Sequence, residues 1–176
     1  MTIKKIDGTI KIVSILRDIV ELEETFVKSS IIKKDGKNFG VINLPKFYID
    51  FDEKNYRNST TDMAQEIERL KKENVEGILL DLRNNGGGSL TEVGDIMGLF
   101  MQAGPYVQVK DGNGRVQVMR NKQNDPIWTG PLVIMQNELS ASASEILAGA
   151  MKDYGRAVIV GSPNSFGKGT VQQLVD

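Results

Sequence analysis

The alternation of apolar and polar positions along the chain predicts an α/β fold. Short apolar runs, typical of buried strands, lie at 77–82, 131–135 and 157–161. Apolar residues spaced three and four apart predict helices at 60–73, from residue 89 onward, and at 142–153. Strands that alternate with helices in this way predict a largely parallel sheet with flanking helices.

The N-terminal part of the chain has a different pattern, which predicts a β-rich segment. Polar and apolar residues alternate over 9–13 and 20–23, near the turn signals Asp7-Gly8 and Asp35-Gly36. A strand at 40–44 and a polar loop at 51–59 are expected to follow.

Later in the chain, two more extended regions are predicted. One is a hairpin within 104–130, around the turn sequence Asp111-Gly112-Asn113-Gly114. The other covers residues 170–175. The chain stops where this strand begins, so we expect it to be part of a longer protein.

Composition removes several classes of function. The 176 residues suffice for one domain with a real core, and the net charge of −1 gives no reason to expect a nucleic-acid partner. The chain has no cysteine and no histidine, which excludes disulfides, thiol nucleophiles and a Ser-His-Asp triad within it. Without histidine or cysteine, acid–base chemistry falls to Asp, Glu, Lys or Tyr. No cluster of carboxylates has the spacing of metal ligands, so we expect no metal and no cofactor. No apolar run approaches the roughly 20 residues that span a bilayer.

The first candidate segment for chemistry is the glycine-rich turn after the strand at 77–82. Gly86, Gly87 and Gly88 lack Cβ atoms, so backbone N–H groups there can approach an anion closely. A flexible strand-to-helix turn is the simpler interpretation of the same residues.

The second candidate segment holds Ser140, Ser142 and Ser144, at the start of the helix predicted at 142–153. A serine at a helix N-terminus lies at the positive end of the helix dipole, and the next N–H can stabilise an oxyanion. Ser142 and Glu145 also fit a capping box, which is the more frequent use of this pattern. Composition does not choose among the three serines.

The third candidate segment contains Lys168, which lies between Gly167 and Gly169 and follows Phe166. A lysine withdrawn from water loses its proton more readily, and the neutral amine is a competent base. An exposed loop lysine is the common alternative. Residues 161–168 also resemble a phosphate-binding loop, but an extra residue separates the glycines and Gly169 replaces the required Ser or Thr, so nucleotide binding is not expected.

Together, the three segments predict a serine nucleophile that is activated by a lysine. A serine needs a base, and Lys168 is the one lysine in a loop of this kind. Each segment follows a predicted strand, where α/β folds place their active sites. The glycine turn and the Ala143 N–H are then candidate oxyanion donors.

Four stretches of the chain have a familiar order: 81–88 (DLRNNGGG), 140–146 (SASASEI), 153–157 (DYGRA) and 166–173 (FGKGTVQQ). They closely resemble the tail-specific, or carboxyl-terminal processing, serine proteases of peptidase family S41, and the resemblance covers residues 39–176. It implies a ClpP/crotonase-like α/β core and an endopeptidase with a Ser-Lys dyad that forms an acyl-enzyme.

The resemblance also implies roles for individual residues. Ser142 would be the nucleophile, Lys168 the base, and Gln172, four residues later, would orient the lysine. The oxyanion hole would be formed by the N–H groups of Ala143 and of Gly87 or Gly88.

Asp153 lies in one of the matching stretches, but its position argues against a direct catalytic role. If 142–153 form one helix, the Cα atoms of Asp153 and Ser142 are about 16 Å apart, which no hydrogen-bonded triad spans. We expect a structural role, such as pairing with Arg156 or bonding to the following turn.

The resemblance implies an organisation and a setting for the whole protein. Residues 1–38 are expected to be the exit strand of a missing PDZ domain and its linker, and residues 39–176 a protease core truncated at the C-terminus. Such a fragment is expected to be weakly active or inactive by itself. Substrates would be proteins with apolar C-terminal tails, with an adaptor protein as a further partner. The location would be periplasmic or otherwise exported, with membrane association of the full-length protein.

Two other classes of function remain open at this point. A crotonase-like acyl-CoA enzyme would use the same oxyanion donors without a serine nucleophile. A catalytically inactive scaffold would bind protein tails without cleaving them. The loop before Lys168 also departs from the family pattern, because it is one residue longer.

Overall fold

The computed structural model describes residues 2–12, 14, 25–49 and 57–171. The strands are β1 (Thr2–Lys4), β2 (Ile10–Ile12), β3 (Lys28–Lys34), β4 (Lys37–Asn43), β5 (Ile78–Asp81), β6 (Gly104–Lys110), β7 (Val116–Asn121), β8 (Leu132–Gln136) and β9 (Val158–Gly161). The helices are α1 (Ser59–Lys72), α2 (Leu90–Phe100) and α3 (Ala143–Asp153). The strand predicted at 20–23, most of the loop predicted at 51–59, and residues 172–175 of the last extended segment lie outside the described residues.

A five-stranded sheet in the order β3-β4-β5-β8-β9 organises the chain. Strands β4, β5, β8 and β9 are parallel, and β3 pairs antiparallel with β4. The prediction of a largely parallel sheet with flanking helices is therefore confirmed. The parallel strands are added in one direction along the sheet, so right-handed crossovers bring the connecting helices to one face.

That helical face of the sheet holds the hydrophobic core. Ile42, Leu80 and Ile134, from three neighbouring strands, have no exposed surface. Leu70 of α1 packs directly on Gly40 of β4, where a Cβ atom would lie 2.6 Å from a Leu70 methyl carbon. Glycine at this position therefore lets the helix approach the sheet closely.

The opposite face of the sheet is less covered than the apolar runs suggest. Val41, Leu79 and Val133 point away from the helices and are half-buried among the described residues. The strands predicted to be buried are therefore fully buried on their helical side and half-buried on the other.

The helices begin close to the predicted positions because polar side chains cap them. Asn58 accepts a hydrogen bond from the Thr61 N–H at 2.8 Å and starts α1 one residue before the prediction. The buried carboxylate of Glu92 accepts further bonds from the Ser59 hydroxyl and the Thr60 N–H, both at 2.8 Å. These contacts satisfy N–H groups that have no partner inside a helix.

The hairpin predicted within 104–130 is present. Strands β6 and β7 pair antiparallel around a turn at 111–114, and β1 and β2 form a separate two-stranded sheet, consistent with a β-rich N-terminal segment. The boundary expected between residues 38 and 39 falls within β4. Since β3 is the edge strand of the main sheet, residues 28–38 are structurally continuous with the rest of it.

Candidate active site

The three segments that the sequence singles out lie at the carboxyl ends of neighbouring parallel strands. The glycine turn follows β5, the serine turn follows β8, and the lysine loop follows β9. These strands are adjacent and parallel, so their carboxyl ends meet at one edge of the sheet, which is where α/β proteins place their sites.

Asn85 joins the glycine turn to the serine turn. Its side chain is completely buried, donates from Nδ2 to the Leu44 carbonyl at 2.8 Å, and accepts from the Gly87 N–H at 2.8 Å. Its main-chain carbonyl accepts from the Ala141 N–H at 3.0 Å and from the Ser144 hydroxyl at 2.9 Å. The positions of both turns are therefore coupled through one residue.

The three serines have different environments. Ser140 and Ser144 are fully buried, and their hydroxyls donate to the carbonyls of Leu82 at 2.7 Å and Asn85 at 2.9 Å. Ser142 is half-buried and borders a cavity. The flanking hydroxyls thus hold the turn together, while the middle one faces open space.

Ser142 has an unusual backbone conformation at the N-cap of α3. Its φ of 55° and ψ of −113° lie in a region that non-glycine residues rarely occupy, at an energetic cost of about 1–3 kcal/mol. Its N–H donates to the Glu145 carboxylate at 2.8 Å, and its hydroxyl faces the Glu145 main-chain N–H without forming a regular hydrogen bond. The capping box predicted from the sequence is therefore present, and its hydroxyl half is the weaker one.

The loop that carries Lys168 is attached to the serine turn. The Phe166 N–H donates to the Ser140 carbonyl at 3.0 Å. The Glu145 carboxylate accepts from the Ser165 hydroxyl and the Gly167 N–H, both at 2.6 Å, and from the Lys168 N–H at 3.0 Å. The Lys168 side chain itself is exposed, so the described residues do not form the poorly hydrated setting expected for it.

Glu145 is half-buried and carries a stabilised negative charge. Partial burial raises the pKa of the Glu145 carboxyl. Its four hydrogen bonds outweigh that effect, so its pKa lies below the ordinary value. The carboxylate is therefore ionised throughout the neutral range.

Ser142 and Lys168 border the same cavity of about 440 Å³. Apolar side chains form much of its wall: Leu90, Val107, Val109 and Ile146. A larger cavity of about 550 Å³ lies between α3 and β9, on the other side of Glu145, and does not include Ser142. The smaller cavity is the one that brings Ser142 and Lys168 together.

The candidate oxyanion donors are not equivalent. The Gly87 N–H is already bonded to Asn85, whereas the N–H groups of Gly88 and Ala143 have no hydrogen-bond partner among the described residues. A Cβ on Gly87 would lie 2.9 Å from the Ser142 Cβ and 3.2 Å from the Ala143 nitrogen. Gly87 therefore lets the glycine turn approach Ser142 closely. The Gly88 N–H, which has no partner in the described part of the chain, is the better candidate oxyanion donor.

Asp153 and Gln172 do not join this arrangement in the described residues. Asp153 is exposed at the end of α3 opposite to Ser142. The expected partner Arg156 instead donates to the carbonyls of Phe100, Trp128 and Gly130, at 2.7 to 2.9 Å. Gln172 lies outside the described residues.

Sequence reasoning missed two residues of the site. Asn85 was treated as part of a flexible turn, and Glu145 only as a capping partner of Ser142. The available signal for Asn85 was an amide beside three glycines, since a side chain with both donor and acceptor can fix a turn. For Glu145, no local pattern indicates a contact with residues 20 or more positions away.

Comparison with known proteins points to one family. The model of peptidase family S41 matches residues 38–176. The tail-specific protease of Haemophilus influenzae is 42% identical over 94% of this chain, which covers 23% of that protein. The carboxy-terminal processing protease CtpB of Bacillus subtilis is 35% identical over 92% of this chain, which covers 31% of that protein.

A solved structure gives the same result. The photosystem II D1 C-terminal processing protease superposes with a TM-score of 0.71 and 30% identity, over 85% of this chain and 39% of that one. The present chain thus spans well under half the length of these relatives. The family model covers more than half of the chain, and the resemblance expected from its four motifs is confirmed: the chain belongs to peptidase family S41.

Proposed function

We propose that this chain is the core of a serine endopeptidase in which Ser142 is the nucleophile and Lys168 the base. The observation that carries the proposal is that both residues border one cavity of about 440 Å³. Ala143 directly follows Ser142, and the N–H groups of Ala143 and Gly88 have no hydrogen-bond partner among the described residues. The strained backbone of Ser142 supports it, because such strain concentrates at functional sites.

The proposed chemistry is acyl transfer. The neutral amine of Lys168 takes the proton of the Ser142 hydroxyl, and the oxygen attacks the carbonyl carbon of the scissile peptide. The N–H groups of Gly88 and Ala143 donate to the oxyanion that forms. The Lys168 ammonium then protonates the leaving amine as the C–N bond breaks, and water hydrolyses the ester on Ser142.

We further propose that the substrates are proteins recognised by apolar C-terminal tails. The name of the Haemophilus influenzae relative, tail-specific protease, supports this, as do the apolar side chains that line the cavity. An upstream PDZ domain would bind the tail, and an adaptor protein would be a further partner. Residues 1–38 would supply the exit strand of the PDZ domain and the linker, of which residues 28–38 already pair within the main sheet. Gln172 would orient Lys168.

The compartment is also a proposal. A periplasmic or otherwise exported location is supported by relatives whose names place them in chloroplasts. No helix in the described part of the chain is long and apolar enough to cross a membrane.

The test is to treat the full protein with a fluorophosphonate and to identify the labelled residue by mass spectrometry. We expect labelling of Ser142 together with cleavage of a protein that carries an apolar tail. Cleavage with label on Ser140 or Ser144 would show that the nucleophile is wrongly assigned. Absence of both label and cleavage would favour the inactive scaffold, and turnover of an acyl-CoA without label would favour the crotonase-like enzyme.

A further inference from the structure

The Glu145 carboxylate is the main link between the two halves of the candidate dyad. It accepts four hydrogen bonds, from the Ser142 N–H at 2.8 Å, the Ser165 hydroxyl at 2.6 Å, the Gly167 N–H at 2.6 Å and the Lys168 N–H at 3.0 Å. One donor belongs to the serine turn, and the other three belong to the lysine loop. We propose that Glu145 is a positioning residue that sets the place of Lys168 relative to Ser142, an inference that rests on the proposed function.

The two oxygens of the Glu145 carboxylate accept from different donors. Oε2 accepts from the main-chain N–H groups of both Ser142 and Lys168, so a single atom bridges the proposed nucleophile and base. Oε1 accepts from Ser165 and Gly167, the residues that lead into the lysine. A carboxylate suits this position because it accepts at both oxygens and has no proton to present to the four donors.

Other contacts between the lysine loop and the serine turn are weaker candidates for this role. The main-chain bond from Phe166 to Ser140 holds the loop two residues before the lysine. The Ser162 hydroxyl donates to the exposed Glu138 carboxylate at 2.8 Å, at the far end of the loop. Neither contact reaches Lys168, whereas Glu145 bonds the Lys168 N–H directly. The Ser162 contact is also exposed, and exposed charged contacts contribute little.

Glu145 also accounts for the conformation of Ser142. The bond from the Ser142 N–H to Oε2 fixes the peptide that precedes the serine, at a residue whose φ is 55°. Loss of the carboxylate would therefore affect both partners of the dyad. Since misplacement of a reacting group by about 1 Å can lower a rate about 10²-fold, the effect on chemistry should be large although Glu145 touches no substrate.

The experiment compares Glu145→Ala, Glu145→Gln and the matched control Glu138→Gln in the full protein. Glutamine has the same shape, and its oxygen can still bridge Ser142 and Lys168 while its NH₂ group donates to the Ser165 hydroxyl. Only the Gly167 N–H then faces a second donor, so this variant should keep part of the function.

The rates of fluorophosphonate acylation and peptide cleavage are measured per labelled active site. We expect Glu145→Ala to lower the acylation rate and kcat about 10²-fold, with KM changed less than about threefold. Glu145→Gln should lie between Glu145→Ala and the wild type, and Glu138→Gln should stay within about twofold of the wild type. A purely structural role would lower the melting temperature and the number of active sites, but not the rate per active site, and that result would overturn the proposal.

Hydrogen exchange provides a readout that does not depend on activity. Peptides that cover 142–150 and 163–171 should exchange faster in Glu145→Ala than in the wild type, while Glu138→Gln should leave 142–150 unchanged. If the wild type neither cleaves substrate nor takes up the label, the proposed function fails, and exchange still decides whether Glu145 joins the two segments. Unchanged exchange at both segments in Glu145→Ala would refute the link itself.

Discussion

The serine side and the lysine side of the site are held by different kinds of contact. On the serine side, Asn85, Ser140 and Ser144 are fully buried, and their polar atoms bond to one another or to carbonyls that directly follow β4 and β5. On the lysine side, Lys168 is exposed and its loop depends largely on the carboxylate of Glu145. Buried hydrogen bonds are expensive to break, so the serine side is part of the core, whereas the lysine side can be displaced without unfolding it.

This difference has a consequence for function. A nucleophile and an oxyanion hole that belong to the core keep their geometry whenever the protein is folded. A base on an exposed loop depends on a few contacts, which substrate or further parts of the protein can strengthen. We therefore expect substitutions on the serine side to affect folding and those on the lysine side to affect rate.

The largest effect is expected for Ser142→Ala, the exception to that rule on the serine side. Its hydroxyl makes no regular cap hydrogen bond, so its loss should leave the melting temperature nearly unchanged. Peptidase activity should fall by at least about 10⁴-fold, because the acyl-enzyme cannot form. Cleavage assays measure the activity and thermal melts the stability. An inactive Ser140→Ala beside an active Ser142→Ala would show that Ser140, and not Ser142, is the nucleophile.

The next largest effect is expected for Lys168→Arg on the lysine side. Arginine remains protonated and cannot take the serine proton, so activity should fall about 10² to 10⁴-fold with no change in the melt. Cleavage assays and thermal melts of both proteins check this, and full activity of Lys168→Arg would exclude a base role.

The contact between the glycine turn and Ser142 is tested by Gly87→Ala against the control Gly86→Ala. A Cβ on Gly87 would lie 2.9 Å from the Ser142 Cβ at a φ of 105°, whereas a Cβ on Gly86 meets nothing within 4 Å. We expect Gly87→Ala to lower activity about 10²-fold and stability by about 1–3 kcal/mol. Equal behaviour of the two variants in cleavage and melting would argue against close packing here.

A smaller effect is expected for Ser144→Ala, which tests the buried side directly. The change removes a hydrogen bond to the Asn85 carbonyl inside the core and should lower stability by about 1–3 kcal/mol. The rate per folded molecule should change only a few fold, because Ser144 does not face the cavity. Chemical denaturation measures the loss of stability, and active-site titration gives the rate per folded molecule. A rate loss as large as that of Ser142→Ala would contradict the purely structural role of Ser144.

The smallest effect is expected for Asp153→Asn. The residue is exposed at the C-terminal end of α3, where a negative charge is unfavourable, and its expected partner Arg156 is engaged by three carbonyls. Stability should change by less than about 0.5 kcal/mol, and the acylation rate should not change. Acylation lost as completely as in a Lys168→Ala variant would show a catalytic role.

Much of the fold follows from short-range patterns. The helices α1 and α3 and the strands β5, β8 and β9 lie within one or two residues of their predicted positions, because apolar periodicity and capping residues act locally. The direction of the sheet also follows from the order of these elements. The half-buried outer face of the sheet does not follow from these patterns, because its exposure depends on which other parts of the protein pack against it.

The sequence also indicated the three segments of the site. It did not indicate which residue in each segment borders the cavity and which ones hold the turns in place. The S-A-S-A-S pattern offers three equivalent serines until the fold turns two of them inward, toward carbonyls 58 and 59 residues away in the chain. The sequence likewise offers Gly87 and Gly88 as equal donors until Asn85 engages one of them. It also suggested a desolvated lysine, whereas the described loop leaves Lys168 exposed.

The sequence by itself thus determined the class of the fold, the family, and the three segments where chemistry is expected. All three can be recognised because they depend on patterns of residues that are adjacent or close in the chain. The tertiary structure decided which serine borders the cavity, which glycine N–H has no partner among the described residues, and that Glu145 bridges Ser142 and Lys168. Those features are hydrogen bonds and close contacts between residues that are distant in the chain. They exist only after the strands align their carboxyl ends at one edge of the sheet.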